Sequence, residues 1–87
     1  MPTALITGAS RGIGRQTAKL FAKAGWDLLL LARDNLSLND LAEDLKSLDV
    51  KVFYESVDLS DATKISSGID SLLENGLKPC VLINNAG

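Results

Sequence analysis

The stretch Thr3-Ala4-Leu5-Ile6-Thr7-Gly8-Ala9-Ser10-Arg11-Gly12-Ile13-Gly14 decides the fold. Its first five residues are a short apolar run ending at a glycine, the pattern of a strand buried on both faces. Past the glycines, Ile13, Thr17, Phe21 and Ala24 recur at near-helical spacing. Gly25 then supplies a residue able to take the left-handed conformation that stops a helix. The segment therefore reads as a strand, a glycine turn and a helix in immediate succession.

Each glycine in the turn has a physical reason. Gly8 lets the chain turn sharply off the strand, Gly12 lets the backbone approach a pyrophosphate, and Gly14 lets helix and sheet pack closely. The helix start presents unpaired N–H groups and a partial positive charge to phosphate oxygens. A plain tight turn is the simpler reading. The strand–loop–helix placement at the first junction favours a nucleotide. Gly8-Ala9-Ser10-Arg11-Gly12 also fits the G-x-S-x-G elbow of hydrolases, but that motif needs a histidine base, and the chain has no His. A phosphate loop of the Gly-Lys-Ser/Thr type fails because that sequence does not follow the glycines.

Outward from this turn the alternation continues. Trp26–Ala32 is a second apolar run, and Leu38, Leu41, Ala42, Leu45 and Leu48 mark one face of a second helix. Lys51–Val57 is a third strand, less apolar and so nearer a sheet edge. Ser60 is placed to N-cap a third helix, whose Ile65, Ile69, Leu72 and Leu73 share a face and which Gly76 ends. Cys80–Ile83 is a fourth strand, entered through Pro79. The order βαβαβαβ, with crossovers of the length parallel neighbours require, predicts a doubly wound α/β layer. A buried-type strand followed only by Asn84-Asn85-Ala86-Gly87 reads as a fold cut short, so residues 1–87 are expected to be the incomplete N-terminal part of a single domain.

Composition narrows the function. The 87 residues are 46% apolar and 23% charged, which excludes disordered and low-complexity classes. The missing histidine removes His-ligated metal sites and a Ser-His-Asp triad, so no metal is expected. A net charge of −2 gives no basic field for nucleic acid. The longest apolar run, Leu28–Ala32, is far short of the ~20 residues that span a bilayer, and the start lacks a signal-peptide pattern. The lone Cys80 suits a reducing compartment, so a cytoplasmic location is expected.

Thr7-Gly8-Ala9-Ser10-Arg11-Gly12-Ile13-Gly14, Val57-Asp58-Leu59-Ser60 and Asn84-Asn85-Ala86-Gly87 together resemble three signatures of the short-chain dehydrogenase/reductase family, in the family's order and spacing. The resemblance covers the whole chain but only about the first third of a family domain. It implies a partial Rossmann fold with strand order 3-2-1-4. It also implies that a dinucleotide cofactor is held by Gly8, Ser10, Arg11, Gly12, Ile13, Gly14, Arg33, Asp58, Leu59, Asn85, Ala86 and Gly87. In this comparison Asp58 meets the adenine amino group and Leu59 adds a backbone contact. Asn84 ties the fourth strand to its neighbours, and Ala86 and Gly87 pass close to the ribose. The alternative for Asp58 is a solvated acid near a helix start, and for Ala86 and Gly87 an ordinary loop.

The family's spacing also bears on the cofactor. An NAD enzyme places a carboxylate at the end of the second strand for the ribose 2′-hydroxyl, and an NADP enzyme places positive charge there. The acid's slot falls on Ala32, and Arg33 follows directly. Arg11 is near enough to reach the same phosphate, and Ser10 adds a hydroxyl. Two guanidiniums on a phosphate make strong charge-assisted bonds. NADP(H) is therefore favoured over NAD(H). Asp34 is the complication, serving either as the ribose acid or as a surface partner of Arg33.

The family's proton donor is a Tyr with a Lys four residues later. Here the only tyrosine, Tyr54, has Asp58 four residues on, so no catalytic residue is expected within residues 1–87. Cys80 reads as a buried structural thiol. Lys19, Lys23, Asp40, Glu43, Asp44 and Lys46 read as solvated helix faces, with Glu43 and Lys46 spaced for a weak pair. The expected function is the cofactor-binding portion of an NADP(H)-dependent oxidoreductase that passes hydride between a nicotinamide and a carbonyl or alcohol. The alternative is a free-standing dinucleotide-binding module without catalysis. Full-length family members are usually homodimers or homotetramers.

Overall fold

The computed structural model describes residues 2–85. Its elements alternate as β1 (Thr3–Thr7), α1 (Gly12–Lys23), β2 (Asp27–Ala32), α2 (Asn35–Asp44), β3 (Val52–Ser56), α3 (Ala62–Leu73) and β4 (Val81–Asn84). All strand pairs are parallel, and the sheet order is β3-β2-β1-β4. The expected doubly wound α/β architecture and strand order are both present.

The central strands β1 and β2 are buried along their whole length, which is why they read as unbroken apolar runs without alternation. Their side chains serve two cores. Ala4, Ile6, Leu28, Leu30 and Ala32 pack with Ala18 and Ala22 of α1 and Leu38 and Leu41 of α2. Leu5, Leu29 and Leu31 face the other way, against Leu72 of α3. The period-two geometry of a strand thus places α1 and α2 on one face and α3 on the other.

The edge strand β3 is only half-buried, in keeping with its weaker apolar run. Tyr54 packs partly against the first core, and its hydroxyl lies 3.0 Å from Asn39 Oδ1 on α2. At the opposite edge, β4 alternates between half-buried and exposed residues. Cys80 precedes the strand and is exposed, which corrects the expected buried thiol. The reason is parity: Cys80 shares its side of the strand with exposed Leu82 and Asn84, whereas Val81 and Ile83 turn to the core.

Helix ends explain the other departures. The apolar pattern runs on to Leu48, yet α2 stops at Asp44 because Lys46 and Leu48 donate their amides three residues back, to Glu43 and Leu45. Leu45 and Leu48 still reach the core from these turns. The N-cap of α3 is Asp61, which accepts from the amides of Thr63 and Lys64, and not Ser60. Asp44 is more than a solvated acid. It receives Arg15 at 2.7 Å and Lys19 at 3.9 Å, joining α1 to α2. Glu43 and Lys46 do pair, at 3.3 Å on the surface.

Two glycines set how closely helices approach the sheet. A Cβ on Gly14 would collide with the carbonyl oxygen of Gly8 and lie 2.8 Å from its carbon, so only glycine lets α1 rise directly off the turn. A Cβ on Gly68 would lie 2.9 Å from both Leu31 Cδ1 and Val57 Cγ1, which seats α3 tightly on β2 and the end of β3.

Candidate cofactor site

The register aligns Thr7 with Leu31 and Asn84, and Ala32 with Ser56, so the carboxyl ends of all four strands meet at one edge of the sheet. Open parallel sheets bind ligands in the crevice at that edge. A cleft of about 620 Å³ lies there. Gly8, Ser10 and Arg11 line it from the first turn, Ala32 and Arg33 from the end of β2, Leu59 and Ser60 from the β3–α3 loop, and Asn85 from beyond β4. Segments far apart in sequence converge on it because each follows a strand of the same sheet.

The glycine turn is built as its spacing requires. Gly8 and Gly12 take left-handed φ values of 66° and 57°. Gly8 donates its amide to Leu31 O at 2.8 Å, tying the turn to β2. A Cβ on Gly12 would meet nothing within 4 Å, so here the left-handed backbone faces open space. Helix α1 starts without a side-chain cap or an acidic residue in its first turn. By contrast, α2 and α3 are capped by Asp34 and Asp61. The uncapped N–H groups of α1 beside Arg11 make an anion-accepting corner. Ser10 is buried there, while Ile13 is exposed just beyond it.

Arg33 and Asp58 come together from opposite sides of the β2–β3 boundary, with Arg33 NH2 donating to Asp58 Oδ1 at 3.2 Å. Ser60 donates to the same oxygen through its amide at 3.0 Å and its hydroxyl at 2.7 Å. These Ser60 bonds, with a smaller share from Arg33, hold the Asp58 carboxyl below its ordinary pKa. Ser60 is therefore a turn residue at the cleft and not a helix cap.

Asp34 resolves differently from either role expected of it. It is the N-cap of α2: Oδ1 accepts from the amides of Leu36 and Ser37 at 3.1 and 3.4 Å, and Oδ2 accepts the Ser37 hydroxyl at 2.8 Å. The Ser37 hydroxyl is the main cause of its lowered pKa, followed by the backbone bonds and the nearby Arg11 charge. Arg33 takes Asp58 as its partner instead. The D-x-x-S spacing of Asp34-Asn35-Leu36-Ser37 is the signal that identifies this cap.

At the far side of the cleft, Thr7 Oγ1 donates to Asn84 Oδ1 at 2.7 Å, and the Asn85 amide donates to Thr7 O at 3.2 Å. Asn84 thus ties β4 to β1. Asn85 Nδ2 is buried with no hydrogen-bond partner among the described residues, a donor placed at the cleft wall. Ala86 and Gly87, expected near a ribose, lie outside the described residues. The orphaned Asn85 donor, the open face of Gly12 and the uncapped α1 start fit a phosphate-bearing dinucleotide.

A parallel sheet of this order, with a glycine turn and an uncapped helix at its carboxyl edge, defines a Rossmann-type α/β protein. Among known families, short chain dehydrogenase matches residues 2–87, and the chain belongs to that family. It is 45% identical over 83 residues to sulfoacetaldehyde reductase 2 of Chromohalobacter salexigens, covering 95% of this chain and 32% of that protein. It is 44% identical over 87 residues to the NADP-dependent 3-hydroxy acid dehydrogenase of Schizosaccharomyces pombe, covering 98% of this chain and 34% of that one. L-sorbose reductase of Gluconobacter frateurii, solved with NADPH and L-sorbose, superposes with a TM-score of 0.91 at 33% identity, covering 99% of this chain and 33% of that one. The chain thus spans about a third of the length of these relatives. No helix among the described residues is long and apolar enough to cross a membrane.

Proposed function

We propose that the chain is the cofactor-binding portion of an NADP(H)-dependent oxidoreductase that passes hydride between the nicotinamide and a carbonyl or alcohol substrate. The observation that carries the cofactor choice is the state of the two charged residues after β2. The Asp34 carboxylate caps α2 through both oxygens, which supports a structural role for it over a ribose contact. The Arg33 guanidinium, with its side chain 74% exposed and paired with Asp58, lines the cleft, which supports a role for it at a 2′-phosphate. The family relatives named for NADP and solved with NADPH support the same reading.

In this reading Gly8, Gly12, Gly14 and the first amides of α1 hold the pyrophosphate, with Ile13 alongside. Ser10, Arg11 and Arg33 hold the 2′-phosphate, Asp58 and Leu59 the adenine, and Asn85, Ala86 and Gly87 the ribose. The bound dinucleotide supplies the hydride chemistry. Residues 1–87 contain no Tyr-x-x-x-Lys, so no proton donor of that kind is assigned among them. A cytoplasmic, oligomeric oxidoreductase is the setting that this reading expects. Calorimetric titration with NADPH and NADH tests it: NADPH is expected to bind at least about tenfold more tightly, the effect of roughly one charge-assisted bond. Equal affinities overturn the preference, and binding of neither overturns the site.

A further inference from the structure

The Arg33 side chain is long and largely exposed, and an untethered arginine loses rotamer entropy when a phosphate fixes it. In this chain it is not untethered. The β3 ladder ends with the Val57 amide donating to Ala32 O at 2.9 Å. One residue beyond the end of β2, the role of the amide passes to a side chain: Ser56 Oγ donates to Arg33 O at 2.6 Å. That bond fixes the Arg33 backbone just where the strand pairing stops. The guanidinium is then held at Asp58 Oδ1, and Asp58 is itself locked by the amide and hydroxyl of Ser60.

We propose that Ser56, together with Asp58, is a positioning residue for cofactor selection, holding Arg33 at the backbone and at the guanidinium so that it meets the 2′-phosphate already oriented. The inference rests on the 2′-phosphate reading of Arg33. It adds that the choice between cofactors is set partly from the end of β3 and the loop after it, on residues that follow Arg33 by 23 and 25 positions. An exposed ion pair of this kind contributes little to stability, so its orientation of the guanidinium is its main consequence. Preorganisation of this sort raises affinity by lowering the ordering cost on binding. Asp58 is also assigned to the adenine, so Ser56, which is absent from the cleft lining, gives the cleaner test.

The experiment is a double-mutant cycle read by calorimetric Kd on the full chain, with NADPH and NADH as probes. Ser56→Ala is expected to weaken NADPH by roughly three- to tenfold while leaving NADH within about twofold, and Ser56→Thr to restore NADPH binding. In an Arg33→Ala background, Ser56→Ala is expected to have no further effect on NADPH. An equal loss for both cofactors, or a loss that persists without Arg33, overturns the positioning role. If Arg33→Ala alone leaves the NADPH to NADH ratio unchanged, the 2′-phosphate reading itself has failed. If Arg33 matters and Ser56 does not, only the inference has failed.

Discussion

Gly14 stands against the carbonyl of Gly8 so closely that a methyl group on Gly14 would collide with the Gly8 oxygen. Gly12, two residues earlier, has open space where its Cβ would be, although its φ of 57° is left-handed. Packing therefore demands glycine at position 14, whereas at position 12 only the left-handed backbone does, and the proposed cofactor role adds a second reason there. Gly14→Ala is expected to lower stability by about 1–3 kcal/mol, as overpacking does. Gly12→Ala is expected to cost about 1 kcal/mol for its conformation, with most of the damage falling on cofactor binding. Denaturant unfolding and NADPH titration of both variants separate the two. Equal stability losses would contradict the assignment.

The bond from Thr7 to Asn84 gives a second expectation. It joins the last residues of β1 and β4 at 2.7 Å, and Thr7 is 7% exposed. Thr7→Val keeps the shape and removes the donor, so a loss of about 1–2 kcal/mol is expected in denaturant unfolding. The Asn85 backbone amide donates a hydrogen bond to the carbonyl of the same Thr7, so weaker NADPH binding should accompany the loss. A neutral Thr7→Val would show that the strand ends are aligned by their backbones alone.

Acid should find Asp34 and Asp58 before it finds the core. Both carboxyls are held below the ordinary aspartate value, Asp34 chiefly by the Ser37 hydroxyl and Asp58 chiefly by Ser60. A lowered folded pKa means that the unfolded chain takes up protons first, so this stability is present above an ordinary aspartate pKa of about 3.9 and is lost as pH falls through the lowered folded values. Carboxyl NMR should show both midpoints depressed. Ser60→Ala should raise that of Asp58 more than Arg33→Ala does. The reverse ranking would contradict the assigned cause.

Much of this architecture is legible in the residues. The apolar runs at Thr3–Thr7 and Trp26–Ala32 and the glycine turn between them fix a buried parallel pair, and the weaker Lys51–Val57 run identifies an edge. What escapes is set by contacts between distant segments or by competition between neighbours. Ser60 and Asp61 are both good caps, and only the turn closed on Asp58 decides between them. Gly68 looks like an ordinary weak helical residue until Leu31 and Val57 are seen against it. The pairing of Arg33 with Asp58 crosses 25 residues and has no local signal. The exposure of Cys80 follows from strand parity, which becomes certain only when Val81 and Ile83 are known to face the core.

The proposed function turns on selection of the 2′-phosphate by Arg33. Its most direct test is the Kd of NADPH and of NADH, measured by calorimetry on the unaltered chain and on Arg33→Asp. The substitution is expected to weaken NADPH by at least about tenfold, one lost charge-assisted bond plus a repulsion, and to change NADH by less than about threefold. An equal effect on both cofactors would contradict it.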